Sequence, residues 1–202
     1  MKTINIFSTP ITIKNDLISL SDSELNIIKS FIYEEKAHKN YFTKDFNVLD
    51  KLEHINRQLV HYLNAYGRDV LGLRKENELY ITNSWCVKTK KGGFHPPHSH
   101  PNSLISGVYY IDVGNDNQHI IFEHENQVFK EFKFLLDYKK DTHYNTNKFA
   151  TAVKNNDLIL FPSWLKHEVP ENKTDVERLV LGFNIFIKGP MGNNNYPTEL
   201  NI

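Results

Sequence analysis

The spacing of apolar residues predicts two helices in the first third of the chain. Ser21 and Glu24 have the spacing of a capping box, and an apolar stripe continues from there on a helix of about 15 residues. A second stripe with a three-to-four-residue rhythm runs from about Asn47 until Gly67 or Gly72 stops it. The stripes consist of Leu25, Ile28, Phe31 and Ile32, and then of Leu49, Leu52, Ile55, Leu59, Leu63 and Tyr66. Both are typical of helix faces that pack on a core.

From about Leu79 the pattern changes to that of short β-strands separated by turns rich in Gly, Asn and Asp. The predicted strands span 79–88, 104–113, 118–123, 127–135, 149–153, 158–161 and 176–187, and an edge strand is predicted within 4–13 around Pro10. Short antiparallel strands protect their edges by closing into a barrel or by pairing as two sheets. We therefore expect a mainly β fold, a jelly roll or barrel, with supporting helices before it.

The chain has 202 residues, a length that favours one domain over 1–202. We expect an N-terminal strand and helices over 1–77, a β core over 78–188 and a tail over 189–202. The polar and aromatic stretch 137–148 has no clear period and is expected to lie as a loop over the mouth of the barrel.

Composition excludes several classes of function and location. The 24 basic residues balance the 24 acidic ones, so no overall field would attract nucleic acid or an anionic membrane. No apolar run has the length of a signal peptide or a membrane span. Cys86 is alone and cannot close an intramolecular disulfide. These features indicate a cytoplasmic protein and leave its oligomeric state open.

Histidines carry the densest chemical signal. His98 and His100 stand two positions apart, so on an extended segment both imidazoles point to one face and can converge on a metal. His167 follows a later stretch of β pattern. Two ligands from one strand and a third from another strand would leave half of an octahedral iron free for catalysis. Surface histidines in a proline-rich loop are the alternative interpretation.

Arg178 begins an apolar run, where an unpaired guanidinium would be costly. Its partner is either a protein carboxylate such as Glu177 or Asp175, or the carboxylate of a ligand. Arginine binds carboxylates with two parallel hydrogen bonds. A dicarboxylate with one end on iron and the other on Arg178 fits this spacing.

With these segments the chain resembles the double-stranded β-helix oxygenases that depend on Fe(II) and 2-oxoglutarate. The resemblance covers about 85–186 and depends on HSHPNS at 98–103, SGVYY at 106–110, DLILFPSW at 157–164, His167, and Arg178 with the later FN pair. Together these segments look like a small branch of mostly uncharacterised bacterial and phage members, which implies a location in the host cytoplasm if the protein is phage-encoded. The order of elements is also similar to that of the prolyl hydroxylases.

The resemblance implies a role for several residues. His98 and His167 match the family's two histidine ligands, Arg178 matches the basic residue that binds the distal carboxylate of 2-oxoglutarate, and Tyr110 matches a tyrosine that shares this contact. His100 stands where most of the family has Asp or Glu. Either His100 is the third ligand, which we favour, or His95 or a carboxylate elsewhere completes the site.

Further candidates for the cavity or its surroundings are Asn184, Asn102, Ser106, Trp164 and His95. Asn184 lies an even number of positions after Arg178 on one predicted strand, so both side chains are expected on the same face. Asn184 is either a hydrogen-bond donor to the cavity or a polar residue at the end of the strand. Trp85 and Trp164 are interpreted mainly as core residues, because a barrel of this size needs large aromatics.

The leading hypothesis is an Fe(II)- and 2-oxoglutarate-dependent dioxygenase that uses O2, a hydroxylase by expectation, forming succinate and CO2 while oxidising an unidentified substrate. One rival is a cupin-type dioxygenase with three histidine ligands that does not use 2-oxoglutarate. Another is a metal-binding barrel without catalysis. A small molecule, a peptide or a protein side chain all remain open as substrates.

Overall fold

The structure, a computed structural model, describes residues 2, 8–17, 19–114, 118–124, 139–142, 144–192 and 198–201. Within these residues the helices are α1 (Asp22–Ser30), a 3-10 turn (Val48–Lys51) and α2 (Glu53–Asp69). The strands are β1 (Thr12–Lys14), β2 (Tyr33–Glu35), β3 (Asn40–Thr43), β4 (Glu78–Thr89), β5 (His95–His98), β6 (Ile105–Asp112), β7 (Gln118–Glu123), β8 (Lys148–Val153), β9 (Leu158–Pro162), β10 (Lys166–Val169), β11 (Arg178–Lys188), β12 (Pro190–Met191) and β13 (Leu200–Asn201).

Two antiparallel sheets form the body of the described chain. The larger has the strand order β1-β9-β6-β11-β4-β3-β2, and the smaller has the order β5-β10-β7-β8. From β4 to β11 the chain alternates between the two sheets, except that β7 and β8 are neighbours in the smaller one. This is a double-stranded β-helix, so the predicted mainly β jelly-roll fold is confirmed.

The two faces of the larger sheet bury different clusters. One face packs with α1 and α2 around residues such as Leu59, Tyr109 and Phe183. The opposite face packs on the smaller sheet through a second cluster that includes Tyr110 and Phe161. Adjacent tyrosines on β6 therefore face opposite layers, as the period of two in a strand requires. The inner face of the sheet is the one that borders the histidines.

The helices differ from the predicted ones. The capping box at Ser21 is present, but α1 has 9 residues rather than 15, and Phe31 already has an extended backbone. Ile32 is 70% exposed, because the chain turns there into the β2–β3 hairpin. The stripe predicted from Asn47 is split at Leu52 into the 3-10 turn and α2. Neither predicted glycine ends α2 directly, since the helix passes Gly67 and ends at Asp69.

The ends of five predicted strands agree with observed ones to within one residue, namely β4, β6, β7, β8 and β9, and β11 begins two residues later than predicted. The predicted strand at 127–135 and residues 4–7 of the edge strand lie outside the described residues. Sequence patterns missed β2, β3, β5 and β10 among others. Two prolines interrupt the pattern of β5, and they are tolerated because β5 is an edge strand.

Cys86 is fully buried and unpaired, and burial raises the pKa of its thiol to about 12. The interpretation of this residue as a small buried hydrophobe is confirmed.

Among the described residues, no helix has both the length and the apolar composition that crossing a bilayer requires.

Candidate metal centre

Three imidazoles meet at one end of the smaller sheet. His98 ends β5, His100 follows two residues later, and His167 lies on β10 directly opposite His98 in the strand register. One ring nitrogen from each histidine lies within 4.8 Å of the others. The ring centroids are 4.2 Å apart for His98 and His167, 5.1 Å for His100 and His167, and 5.3 Å for His98 and His100. The structure thus brings together the three histidines that the sequence singled out.

Each of these rings uses its Nδ1 atom for a hydrogen bond to an oxygen. The partners are the Pro96 carbonyl at 2.9 Å for His98, the Leu165 carbonyl at 3.1 Å for His167, and Asn184 Oδ1 at 2.7 Å for His100. Because carbonyl and amide oxygens only accept, Nδ1–H donates in each case and Nε2 keeps its lone pair. Neutral imidazoles oriented through the other ring nitrogen are the usual form of histidine ligands in metal sites.

The pKa values favour the same neutral form. Burial, and to a smaller extent the nearby His98, lowers the pKa of His167 to about 3. Burial also lowers the pKa of His98 and of His100. At neutral pH these rings are uncharged and offer lone pairs to a cation. Among the described residues, no carboxylate belongs to this group, so the donor set consists of three neutral nitrogens.

His95 is next to the group but not part of it. Its ring stacks on His98 with a centroid distance of 4.2 Å, and it meets Phe42 edge-on at 5.9 Å. Burial lowers its pKa to about 4, with smaller effects of His98 and His100. Among the described residues, His95 therefore lines the site without joining the set of converging nitrogens.

We expect the metal-free protein to lose stability as the pH falls from about 7 to about 5.5. Half-buried His95 and buried His167 have folded-state pKa values of about 4 and about 3, below the unfolded value near 6.5. The unfolded state therefore binds more protons in this window, and each such histidine costs about 1 kcal/mol of unfolding free energy. Urea unfolding at both pH values measures the loss, which His95→Phe should reduce and exposed His61→Phe should not. Equal losses in all three proteins would contradict the assignment.

Arg178 lies on the inner face at the start of β11 and is only 5% exposed. Its Nη1 donates to Gln118 Oε1 at 3.0 Å and to the Pro170 carbonyl at 3.5 Å. In the described part of the chain, no carboxylate forms an ion pair with it. Of the protein partners considered, Glu177 is exposed, and Asp175 is paired with Lys91 at 2.8 Å. The guanidinium is thus buried with only neutral partners, which suits the carboxylate of a ligand.

Tyr110 lies beside Arg178 in the same interior. The side chain is 4% exposed, and burial raises the pKa of its phenol while Arg178 lowers it. Burial lowers the pKa of Arg178 to about 10, so the guanidinium is charged and the phenol protonated at neutral pH. Both groups are hydrogen-bond donors in these states.

Arg178, Val180, Gly182 and Asn184 occupy alternate positions of β11, and Val180 packs in the inner cluster. Asn184 therefore faces the site, as predicted from its parity. Its amide oxygen accepts a hydrogen bond from His100, a contact that the sequence did not predict, and donation from its amide nitrogen to the cavity stays a prediction. The contact joins residues 84 positions apart.

The remaining candidates have different positions. Ser106 is fully buried and lies 3.1 Å from His100 Nδ1, next to the site as predicted. Asn102 is exposed in the turn after His100 with a left-handed φ of 55°, so it shapes the turn rather than the cavity. Trp164 is 61% exposed and contacts His124, so its interpretation as a core residue is wrong.

Trp85 also lies outside the two apolar clusters. Its ring centroid is 5.8 Å from that of His100, and its indole packs on Gly182, where any Cβ would be only 3.0–3.1 Å from three indole atoms. Trp85 thus borders the histidines instead of packing in the core. Its position on the inner face follows from the register of β4 with β11, which pairs Trp85 with Gly182.

Sequence patterns missed two groups at the site. Gln118, the hydrogen-bond partner of Arg178, occupies alternate positions along β7 together with the buried residues Ile120 and Phe122 and so faces inward with them. This alternation was the only feature of the sequence that could have indicated its position. Ser103 and Ser163 form a hydroxyl chain with Ser106, and nothing in their local spacing indicates that contact.

Comparisons with known proteins agree with this geometry. The model of a 2OG-Fe(II) oxygenase family matches residues 83–184, half of the chain, which includes the three clustered imidazoles and Arg178. No sequence among curated proteins matches the chain.

Solved structures of the same fold come from several organisms. An oxidoreductase of the 2OG-Fe(II) oxygenase family from Burkholderia pseudomallei is 15% identical with a TM-score of 0.62, covering 87% of this chain and 83% of that one. HygX from Streptomyces hygroscopicus, with nickel and 2-oxoglutarate bound, is 12% identical with a TM-score of 0.60, covering 88% and 82%. A Trichoplax adhaerens prolyl hydroxylase in complex with a hypoxia-inducible-factor peptide fragment is 13% identical with a TM-score of 0.58, covering 87% and 83%. These similarities to solved structures concern the fold alone. The family model covers half of the chain, including the three histidines and Arg178, and therefore the chain belongs to the 2OG-Fe(II) oxygenase family.

Proposed function

We propose that this chain is an Fe(II)- and 2-oxoglutarate-dependent hydroxylase in which His98, His100 and His167 bind the iron. Arg178, with Tyr110, would bind the distal carboxylate of 2-oxoglutarate. One observation carries the proposal: Arg178, a buried guanidinium without a described carboxylate partner, lies in the interior between the two sheets, on the sheet face that borders three converging neutral imidazoles. A keto-diacid matches both ends of that interior, since it chelates a cation at one end and presents a carboxylate at the other.

Iron and 2-oxoglutarate would supply the oxidation, in which 2-oxoglutarate and O2 yield succinate and CO2 and one oxygen atom is inserted into a substrate C–H bond. The protein places the groups. Three Nδ1–H bonds fix the directions of the imidazoles, and the buried Arg178 offers a planar fork. The protonated phenol of Tyr110 adds a donor close to that fork.

Three neutral ligands also suit the rival cupin-type dioxygenase, which would bind its substrate directly to iron. The buried Arg178 favours the 2-oxoglutarate enzyme, because 2-oxoglutarate always brings a second carboxylate for this guanidinium, whereas a substrate bound directly to iron would have to carry one itself. A cytoplasmic location is part of the same proposal, supported by the free thiol of Cys86, since disulfide-rich proteins belong to oxidising compartments.

Anaerobic titration with Fe(II), without and then with 2-oxoglutarate, tests the proposal. We expect a visible metal-to-ligand charge-transfer band only when both are present, and succinate formation after oxygen is admitted. Metal-free protein with 2-oxoglutarate is the control. Iron binding with a spectrum that 2-oxoglutarate leaves unchanged would support the cupin-type rival, and absence of succinate would support the barrel without catalysis.

A further inference from the structure

His100 is held differently from the other two histidines of the cluster. His98 and His167 donate to backbone carbonyls, whereas Nδ1 of His100 lies between two side chains, Asn184 Oδ1 at 2.7 Å and Ser106 Oγ at 3.1 Å. Its backbone N–H donates to the Ser163 carbonyl at 3.0 Å. The direction of this ring therefore depends on residues that can be changed by mutation.

The hydroxyl chain behind Ser106 fixes the direction of each hydrogen bond. Ser103 donates its single hydroxyl proton to the Ile105 carbonyl at 2.8 Å, and Ser163 donates to Ser103 at 2.8 Å. Ser106 must then donate to Ser163, also at 2.8 Å, because the proton of Ser163 is already used. Ser106 can only accept from His100.

Both neighbours of His100 Nδ1 are thus acceptors, which requires a proton on Nδ1 and leaves Nε2 free. Ser106 and Ser163 are fully buried, so water does not compete for these bonds. An aspartate at position 100 would place a negatively charged carboxylate against these two acceptors. Only a rotation of the Asn184 side-chain amide, which would bring its NH2 group to this position, would avoid the repulsion.

We propose that Asn184, supported by the serine chain, is the positioning residue that makes position 100 an imidazole ligand through Nε2. This inference rests on the proposed role of His100 as a ligand, but not on the use of 2-oxoglutarate. It accounts for a histidine at a position where most of the family has Asp or Glu, because the two described groups next to Nδ1 are both placed as acceptors.

Cobalt(II) chloride is the probe, because it replaces ferrous iron and is stable in air. We expect Asn184→Leu to weaken Co(II) binding about 10- to 100-fold, the usual effect of losing an outer partner of a ligand. Asn184→Asp keeps an acceptor oxygen at the same place and should bind within about threefold of the parent or more tightly. Asn56→Leu, a half-buried amide on α2, is the matched control and should leave the affinity unchanged.

Paramagnetic NMR of the Co(II) protein gives a second readout. Each ligand that carries a proton on Nδ1 should give one solvent-exchangeable, hyperfine-shifted signal, so three are expected for His98, His100 and His167. Asn184→Leu should move or broaden one of them, and Asn184→Asp should shift the same one while the other two stay in place. This second variant keeps the test decisive if Asn184→Leu does not fold.

Three results would overturn the inference: unchanged affinity in Asn184→Leu, weak binding in both Asn184 variants, or no signal that responds to either change. Failure of the parent protein to bind Co(II) would overturn it as well. A normal Co(II) site whose iron form ignores 2-oxoglutarate would instead count against the proposed function alone.

Discussion

Replacing Arg178 by glutamine is expected to weaken 2-oxoglutarate binding about 100-fold while leaving iron binding unchanged. Arg178 is only 5% exposed, and among the described residues its guanidinium hydrogen-bonds only to an amide oxygen and a backbone carbonyl, so its charge is available to a ligand. Loss of a buried, hydrogen-bonded charge pair costs about 2–5 kcal/mol, and about 100-fold lies at the lower end of that range. Glutamine keeps much of the volume and removes the charge.

Anaerobic titration of the iron-loaded variant with 2-oxoglutarate measures this effect, with Arg68→Gln on the exposed end of α2 as the control. Unaltered affinity in Arg178→Gln would show that another group binds the distal carboxylate. Loss of iron together with 2-oxoglutarate would show that Arg178 supports the fold of the site instead.

Replacing His167 by alanine is expected to reduce Fe(II) affinity by more than about 100-fold, beyond the range seen when only an outer partner of a ligand is removed. His167 is 4% exposed and lies opposite His98 in the register, so no described side chain can take its place without a change in β10. Two neutral nitrogens alone hold a divalent cation poorly.

Competition with a chelator measures the Fe(II) affinity of the parent protein and of His167→Ala, and this comparison checks the prediction. His61→Ala, an exposed histidine on α2, serves as the control and should bind iron like the parent. Retained affinity in His167→Ala would place the metal elsewhere, with His95 the nearest alternative.

Several core strands were predictable because their local pattern is strong. β4, β6, β9 and β11 carry continuous or alternating apolar residues, and the number of predicted strands pointed to a closed double sheet. The hairpin of β2 and β3 was not predictable, because its residues Ile32 to Lys36 extend the polarity pattern of a helix. Tertiary pairing of β3 with β4 decides their conformation.

The three histidines and Arg178 were predictable as a site from the spacing of His98 and His100, the position of His167 after a second β pattern, the guanidinium in an apolar run and the resemblance to the family. Their supporting contacts were not. Asn184 reaches His100 across 84 positions and Gln118 reaches Arg178 across 60, and both contacts depend on strand register that no local pattern encodes. The exposure of Trp164 was also missed. This residue lies in the turn between β9 and β10, and the apolar pattern before it gave no sign that the strand had already ended.

A crystal structure of the protein grown anaerobically with Fe(II) and 2-oxoglutarate tests the central claim most directly. The account predicts one anomalous iron peak bonded to Nε2 of His98, His100 and His167, with 2-oxoglutarate chelating it and its far carboxylate on Arg178. A peak that lacks any of these nitrogens, or a 2-oxoglutarate molecule that does not touch Arg178, would contradict the account.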